Sequence, residues 1–490
     1  MDASEREHCL EGTRTQVLQS ITNWVSNTPV DQRILWLHGL AGSGKSTIST
    51  TIASSYNDQG CLGAFVFFNR DDEKRSRPAS VIRTIAYKLG LFNDQIGASI
   101  ADAIEATPDI FVMPLVRQFA KFVVGPISGL TTTITKPIVI ILDAIDECGN
   151  VNDRKKLLDV LADETIEIPS VIRIIITSRK EDDISKAFMD KRHIHVRELD
   201  LTTDDNKEDI TIFLRHRIHH IQKQNPHLLF VPDWSVEDII HTLALRSAGL
   251  FMWAWTACRF IDTYAPQNSL NTLLQGDVNA NAQSALDGLY ATAFKSYEND
   301  FDFKSDFLSI MGTIIVARNP LSVQAIDALL RHKRSGDMIS KLGCVLMTDK
   351  NLIRIIHPSF ADYLYNHNRC KSDAFYIDRQ LHNRHLAIHC INHLDGFLRR
   401  NVCDLTLSMG PVNATLPESI CYASTSWIAH VIDMTIIPES FADTLQQFLF
   451  EHLLHWMEAM SILNRSREVI TSLSRLLLWV EVSRVQLSPT

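Results

Sequence analysis

The sequence has no excess of positive charge, no paired cysteine motif and no long hydrophobic run, and each absence excludes a class of protein. Its 490 residues carry 48 lysines and arginines against 57 acidic residues, which gives a net charge of −9. Nucleic acids and anionic membrane surfaces are bound through basic patches, so neither is expected as the main partner. No apolar run reaches the ~18 residues of a membrane-spanning helix, so no membrane span is expected.

The nine cysteines are dispersed singly, and none of them belongs to a C-x-x-C pair. A dispersed, odd number of cysteines is typical of reduced thiols in a cytoplasmic protein. The N-terminal segment MDASEREHCLEGTR is charged and contains no apolar stretch that resembles a secretory signal. We therefore expect a cytoplasmic protein. Its composition, 45 % hydrophobic and 21 % charged, is that of a folded chain, and a chain of this length predicts roughly three domains.

Short apolar runs alternate with amphipathic stretches in the first 200 residues. Runs rich in β-branched and aromatic residues are expected to be strands at 33–39, 62–68, 136–143, 172–179 and 193–199. Near-continuous apolar runs of this length predict a parallel sheet that helices cover on both faces. Residues 80–89 and 153–162 are expected to be crossover helices. Beyond about residue 205 the pattern becomes helical, and 352–357 is its only strand-like run.

The segment GLAGSGKST, at 39–47, carries the phosphate-loop pattern G-x-x-x-x-G-K-[ST] between a predicted strand and a predicted helix. Glycines allow backbone N–H groups to converge on phosphate oxygens, and the helix N-terminus adds a positive dipole. Lys45 is expected to reach the β- and γ-phosphates, and Ser46 to supply a hydroxyl ligand to Mg²⁺. The residues expected to contact a nucleotide are Gly39, Ala41, Gly42, Ser43, Gly44, Lys45, Ser46 and Thr47.

A second motif, ILDAIDE, ends the third predicted strand. An acidic residue at the carboxyl end of a sheet strand can face the phosphate loop and hold Mg²⁺, so Asp143 is the expected metal residue. Asp146 and Glu147 follow where the strand turns over, and they could orient or deprotonate an attacking water. The alternative is that this pair only caps the next helix.

The run IIITSR ends the next predicted strand, and its polar residues are expected in the same crevice. Arg179 could contact a γ-phosphate, because its planar donors suit phosphate, or it could form a salt bridge with Asp143 or Glu147. The basic run Arg154-Lys155-Lys156 is expected to be a solvated helix start.

The motifs from GLAGSGKST through LDAIDEC to TSR resemble a NACHT domain of the STAND class of P-loop NTPases, and within it the fungal nephrocystin-type NACHT family. The small residue in D-A-I-D-E is the NACHT form of the second motif. Further segments match the same family and cover most of the chain: CLEGTR (9–14), FFNRDD (67–72), GLFMWAWTACRFI (249–261), LDGLY (286–290) and HPSFADYL (357–364).

The resemblance implies an α/β P-loop NTPase domain with a parallel sheet, followed by a helical domain, a winged-helix domain and a C-terminal helical arm. The implied boundaries are 1–30 for an N-terminal lead-in, 31–200 for the NACHT domain, 201–300 for the helical domain, 301–366 for the winged helix and 367–490 for the arm. It also implies that His357 contacts the β-phosphate of ADP and holds a closed state. Where relatives carry a proline that packs on adenine, this sequence has Phe251, which is expected either to stack on the base or to be buried among helices.

The function implied by the resemblance is a signalling switch of the NOD-like receptor type, in fungal innate immunity or heterokaryon incompatibility. ADP would hold it closed, and ATP would open it so that it associates with further copies or with related NACHT proteins. Mg²⁺ is the implied metal, and slow NTP hydrolysis would reset the switch. The alternative is a turnover P-loop ATPase, either a remodelling ATPase or a small-molecule kinase. Such switches carry an effector domain and a repeat sensor, so the sequence is expected to be a fragment or a minimal family member.

Overall fold

A computed structural model describes residues 6–27, 31–69, 78–130, 134–224, 235–262, 266–275, 281–295, 297–298, 300–331, 335–403, 416–434 and 439–487. The chain divides into two compact units, Met1–Leu289 and Tyr290–Thr490. All nine cysteines are free thiols, as their dispersed pattern predicts. Within the described ranges, no helix is both long and apolar enough to cross a bilayer.

The first unit is built on a five-stranded sheet. Its strands are β1 (Ile34–His38), β2 (Leu62–Phe67), β3 (Ile138–Asp143), β4 (Ile172–Ser178) and β5 (Ile194–Glu198). They lie in the order β2-β3-β4-β1-β5, and every neighbouring pair is parallel. Each strand falls inside one of the predicted runs, so the parallel sheet and its strands are confirmed.

The helices of the first unit are α1 (Thr15–Asn27), α2 (Lys45–Asp58), α3 (Pro78–Phe92), α4 (Asp94–Ala106), α5 (Leu115–Phe119), α6 (Gly125–Ser128), α7 (Val151–Ala162), α8 (Asp182–Phe188), α9 (Asp204–Gln224), α10 (Val236–Arg246), α11 (Phe251–Ile261), α12 (Pro266–Gln275) and α13 (Ala282–Lys295), in which the unit boundary falls. Helices α2–α8 lie between the strands of the sheet, α1 precedes them and α9–α13 follow them. A π-helical turn, Ala120–Val124, joins α5 to α6. The predicted crossover helices at 80–89 and 153–162 lie inside α3 and α7 and are confirmed.

The two faces of the sheet bury separate apolar clusters, because neighbouring residues of a strand point to opposite faces. In β1, Ile34 and Trp36 belong to one cluster, and Leu35 and Leu37 belong to the other. All four side chains are buried. A strand that is covered on both sides has no polar face, which explains why the apolar runs in the sequence are continuous rather than alternating.

Parallel pairing brings the carboxyl ends of the central strands to one edge of the sheet. His38 of β1 pairs with Ser178 of β4, and Asp143 of β3 pairs with Phe67 of β2. The loop after β1 and the turn after β3 therefore leave the sheet at the same edge. Ligands of open α/β sheets bind at this edge.

In the described part of the second unit, the regular elements are helices and one antiparallel hairpin. Its elements are α14 (Phe301–Val316), α15 (Val323–Leu330), α16 (Ser335–Lys341), β6 (Leu346–Asp349), β7 (Leu352–Ile355), α17 (Pro358–Leu364), α18 (Arg379–Asp395), α19 (Glu418–Ile432), α20 (Glu439–Ile462) and α21 (Ser466–Leu487). The prediction of a single strand-like run is wrong, since β6 pairs with β7. β6 is only four residues long, and only Leu346 and Met347 of it are apolar, so the strand signal in the sequence is weak. The winged helix and the domain boundaries stay predictions.

Gly249, in the turn before α11, has a backbone conformation that would be strained in any other residue type at this position. Its φ is +81°, and a Cβ at this position would lie 2.2 Å from the carbonyl oxygen of Leu201. Asn206 closes the turn, because its Nδ2 donates hydrogen bonds to Leu201 O (2.9 Å) and to Gly249 O (2.8 Å). The turn thereby fixes where α11 begins.

We expect Gly249→Ala to lower the melting temperature of the first unit. A left-handed backbone alone costs about 1–3 kcal/mol in a non-glycine residue, and the contact with Leu201 O adds to this. Gly60→Ala is the matched control, because Gly60 has φ +65° but no atom within 4 Å of the added Cβ. Calorimetry should show the larger decrease for Gly249→Ala. Equal decreases would contradict the close approach at Leu201.

Candidate functional site

The phosphate loop lies between the end of β1 and the first residue of α2. Gly42 (φ +77°) and Gly44 (φ +91°) have left-handed backbone conformations, and Gly44 is the N-cap residue of α2. Other residues reach these angles only with strain, so the path of the loop explains its glycines. The first turn of a helix leaves backbone N–H groups without helical partners, and these groups can bind an anion.

Lys45 is buried within this loop. Its Nζ donates to the carbonyl oxygens of Gly39 and Leu40, both at 2.8 Å. Burial lowers the pKa of Lys45 from 10.5 to about 8, and the negative charge of Asp146 opposes this shift. The ammonium is held by neutral carbonyl groups, so an anion in the loop would stabilise its charge.

A buried hydroxyl supports the fit of the loop to a phosphate group. Ser43 is fully buried, and its Oγ has no hydrogen-bond partner among the described residues. Buried polar atoms almost always have a partner, so a ligand oxygen in the loop would suit this hydroxyl. Gly39 is buried in the same loop, and Ala41, Ser46 and Thr47 are half-buried. The predicted nucleotide-contacting residues of this loop thus lie together.

Asp143, the expected metal residue, ends β3 and is fully buried. Its Oδ1 accepts a 2.6 Å hydrogen bond from the Thr177 hydroxyl, and its Oδ2 lies 2.7 Å from Nη1 of Arg6. A buried carboxylate requires such partners because its desolvation is costly. Asp143 Oδ2 already pairs with a positively charged group, so this carboxylate oxygen also suits a divalent cation.

The turn after Asp143 explains the small residue in the D-A-I-D-E pattern. Ala144 has a left-handed φ of +59°, and its N–H donates to Thr177 Oγ1 at 2.9 Å. A β-branched side chain would be strongly strained at this angle. Thr177 therefore contacts both the carboxylate and the turn, a role that we did not predict. The available signal was a hydroxyl residue near the end of an otherwise apolar strand.

The structure brings the predicted catalytic residues together and corrects the partner of Arg179. Its Nε lies 3.2 Å from Asp146 Oδ2, and its backbone N–H donates to Asp146 Oδ1 at 3.1 Å. The structure thus gives Arg179 a partner, the buried Asp146, that neither of its two predicted roles named. The helix-cap alternative for Asp146 and Glu147 is wrong, since Asn150 caps α7. Glu147 is half-buried in the 3-10 turn Ile145–Glu147.

Arg154 is buried, which corrects the expectation of a solvated helix start. Its Nη1 donates to Asp146 O at 2.7 Å, and its Nε and Nη2 donate to the carboxylate of Asp183 in α8. Only Lys155 and Lys156 of the basic run are exposed. Arg154 thus holds the main chain of the turn that follows β3.

The segment before β1 contacts the phosphate loop through Arg14. This buried residue donates from Nη2 to Ser43 O at 2.6 Å, and its guanidinium lies 4.4 Å from the centre of the Phe251 ring. Phe251 also meets Phe213 of α9 edge-on at 5.8 Å. Phe251 therefore packs partly against a neighbouring helix, as one of the two predictions for this residue states. The other, that it stacks on a base, stays a prediction.

His357, in the second unit, is half-buried and is the N-cap residue of α17. Its Nδ1 accepts a hydrogen bond from Ser359 N–H at 3.2 Å and lies 2.7 Å from Ser359 Oγ. Ser359 Oγ is also 2.9 Å from the Tyr290 hydroxyl. Residues from two segments that carry the family resemblance therefore form one hydrogen-bonded group. The contact of His357 with a phosphate stays a prediction.

Sequence comparison finds relatives of the expected kind. Residues 12–179 match the family described as Nephrocystin 3, N-terminal. The vegetative incompatibility protein HET-E-1 of Podospora anserina is 23 % identical over 91 % of this chain. The chain spans about a third of that relative, 34 % of its length.

Solved structures show a weaker likeness. A STAND protein with a tetratricopeptide repeat sensor from Pyrococcus horikoshii is 14 % identical, with a TM-score of 0.42 over 97 % of this chain and 59 % of that chain. Cdc6p from Pyrobaculum aerophilum is 15 % identical, with a TM-score of 0.33 over 72 % of this chain and 94 % of that one. Because these TM-scores are low, the family resemblance depends on the sequence matches. The resemblance expected from the motifs is confirmed at the level of sequence: the chain is similar to a fungal NACHT protein over most of its length, and residues 12–179 match the nephrocystin-type family model.

Proposed function

We propose that this protein is a nucleotide-operated signalling switch, closed with ADP and open and self-associating with ATP. The main support is that the loop holding Lys45 and the buried carboxylate of Asp143 lie at the same edge of one sheet. A cationic loop beside a buried carboxylate suits a phosphate chain that carries a divalent cation. ADP or ATP, with Mg²⁺, is therefore the ligand that we propose.

The residues of the site would make different contacts with the ligand. Lys45 would bind the β- and γ-phosphate oxygens, and the Ser43 hydroxyl would donate to a phosphate oxygen. Ser46 and Asp143 would hold the metal, Asp143 through Oδ2 because Thr177 engages Oδ1. When bound, Mg²⁺ would offset the negative charge of the phosphates. None of these contacts depends only on the γ-phosphate, so the site would bind ADP as well as ATP.

Hydrolysis in this site would be slow. We assign Glu147 to the attacking water, because both oxygens of Asp146 are engaged by Arg179. Arg179 would have to give up or share this ion pair to reach a γ-phosphate. That arrangement favours a switch reset by hydrolysis over the alternative of a remodelling ATPase or small-molecule kinase, which needs rapid turnover.

The closed state would depend on His357. A neutral imidazole whose Nδ1 accepts a hydrogen bond carries its proton on Nε2, and that N–H can donate to a phosphate. The hydrogen bond from Ser359 N–H to Nδ1 thus selects the tautomer that the proposed contact with the ADP β-phosphate needs. A contact made in only one conformation gives the ligand differential affinity for that conformation.

The fungal relative is named for vegetative incompatibility, and we propose signalling of that kind for this chain. Exchange of ADP for ATP would release the closed state. Copies of the chain, or related NACHT proteins, would then associate and carry the signal. A cytoplasmic location would suit such a protein.

Lys45→Ala should abolish ADP and ATP binding, because it removes the side-chain cation that the loop holds. The wild-type affinity for ADP should also fall above about pH 8, where Lys45 loses its proton. Bound phosphate favours the ammonium, so binding takes up a proton, and the affinity falls by at most about tenfold per pH unit. Calorimetry across pH 6.5–9.5 measures both effects, in buffers of different ionisation enthalpy.

Lys156→Ala is the matched control, because this lysine lies exposed on α7. It should bind ADP as the wild type does at every pH. Unchanged ADP affinity in Lys45→Ala would contradict the phosphate-loop assignment.

Glu147→Gln should retain Mg·ATP while slowing hydrolysis, because an amide preserves the shape of the side chain but cannot act as a base. Asp143→Asn should instead weaken the Mg²⁺ dependence of nucleotide binding. Single-turnover hydrolysis and metal titrations separate the two effects, with the exposed Glu164→Gln as control. The division of roles would be wrong if both substitutions reduced binding equally and neither slowed hydrolysis selectively.

His357→Leu should release ADP faster and raise the open or oligomeric fraction. A hydrogen bond to a charged group contributes about 1.5–3 kcal/mol, which corresponds to a roughly 10- to 100-fold shift of the equilibrium. His357→Asn tests the same loss while retaining a side chain that can cap α17. ADP release rates and size-exclusion profiles measure both changes. Wild-type values in both variants would make His357 a purely structural residue.

A further inference from the structure

Arg6 is bound at Asp143, and none of the roles proposed so far uses it. Its Nη1 lies 2.7 Å from Asp143 Oδ2, and its guanidinium carbon lies 4.5 Å from the centre of the Phe67 ring. Phe67 and Asp143 are paired residues of neighbouring strands. The edge of the sheet thus presents a carboxylate and an aromatic ring to one guanidinium, a combination that suits arginine.

The charge of Asp143 explains why this cation is there. The carboxylate is fully buried, and Thr177 gives it only a neutral donor, at Oδ1. Arg6 supplies the positive charge at Oδ2, the oxygen assigned above to the metal. The Arg6 side chain remains 31 % exposed, so it can leave Asp143 without opening the apolar core.

Residues 6–14, here called the N-terminal strap, are anchored behind Arg6. The Cys9 N–H donates to Thr51 Oγ1 of α2 at 2.9 Å, and Arg14 donates to Ser43 O in the phosphate loop. Arg6 lies three residues before the first of these anchors. It can therefore move away from Asp143 while the rest of the strap stays attached.

We propose that Arg6 is an internal counter-cation that competes with Mg²⁺ for Asp143. The strap would close on the metal-free site, and residues 6–8 would be released when Mg²⁺ and nucleotide bind. The inference rests on the proposed function, because it takes Asp143 as the metal residue. A guanidinium and a divalent ion that both contact Oδ2 would repel each other, so each weakens the binding of the other. Coupling between binding equilibria is reciprocal, so the strap must also weaken metal binding.

Metal affinity tests the competition directly. In the 490-residue chain with ADP, Mn²⁺ binding followed by electron paramagnetic resonance should be roughly tenfold tighter for Arg6→Gln than for the wild type, within the usual range of such couplings. Arg215→Gln is the matched control, because it removes an exposed arginine that pairs with Glu237 on the helical surface. Equal Mn²⁺ affinities, or weaker binding by Arg6→Gln, would overturn the proposal.

Trypsin provides a second measurement that needs no substitution at Arg6. The protease cleaves after arginine, so cleavage after Arg6 should be several-fold faster with ADP and Mg²⁺ than with ADP and EDTA. Cleavage after Lys371, which is exposed in an irregular segment between α17 and α18, serves as the internal reference. A cleavage rate that does not respond to Mg²⁺ would overturn the proposal.

The two proposals fail in different ways. If the wild type binds no ADP, or if Lys45→Ala binds it equally well, the proposed function fails and the Arg6 inference fails with it. If ADP binding depends on Lys45 but neither metal affinity nor cleavage depends on the strap, only the Arg6 inference fails.

Discussion

A carboxylate buried at the end of a central strand is the constraint around which this site is organised. Asp143 has no access to water, so its charge must be balanced by groups that the fold brings to it. Thr177 from the next strand donates to Oδ1, and Arg6 from the segment before α1 pairs with Oδ2. The left-handed Ala144 turns the chain away directly afterwards. A metal in this place would satisfy the same electrostatic requirement that the guanidinium now meets.

The phosphate loop is connected to the rest of the first unit through its own carbonyl groups. Arg14 donates to Ser43 O, and the N–H of Met252 in α11 donates to Gly42 O at 3.0 Å. These acceptors belong to consecutive residues of the loop. A ligand that shifts the loop must therefore change a contact to the strap and a contact to α11 together. This is a direct physical route by which nucleotide binding could reach the helical part of this unit.

The sequence predicted features that depend on neighbouring residues. It did not predict ion pairs between residues that are far apart along the chain. Continuous apolar runs predicted every strand of the parallel sheet, and the strand-end position of Asp143 made it the candidate metal residue. The pairing of Arg179 with Asp146, and the burial of Arg154, depend on contacts about 30 residues apart along the chain, which no local pattern encodes. Arg6 was missed for the same reason, since it reaches Asp143 across 137 positions. Strand β6 was missed because it is short and only its first two residues, Leu346 and Met347, are apolar.

The identity of the nucleotide that remains bound through purification tests the central claim most directly. The 490-residue chain is purified without added nucleotide and then denatured. The released nucleotides are separated by ion-exchange chromatography, and Lys45→Ala is treated in parallel. A switch held closed by ADP predicts close to one ADP per wild-type chain and none in the variant. An empty wild-type site, combined with rapid multiple-turnover hydrolysis of added ATP, would contradict the switch and favour a turnover ATPase.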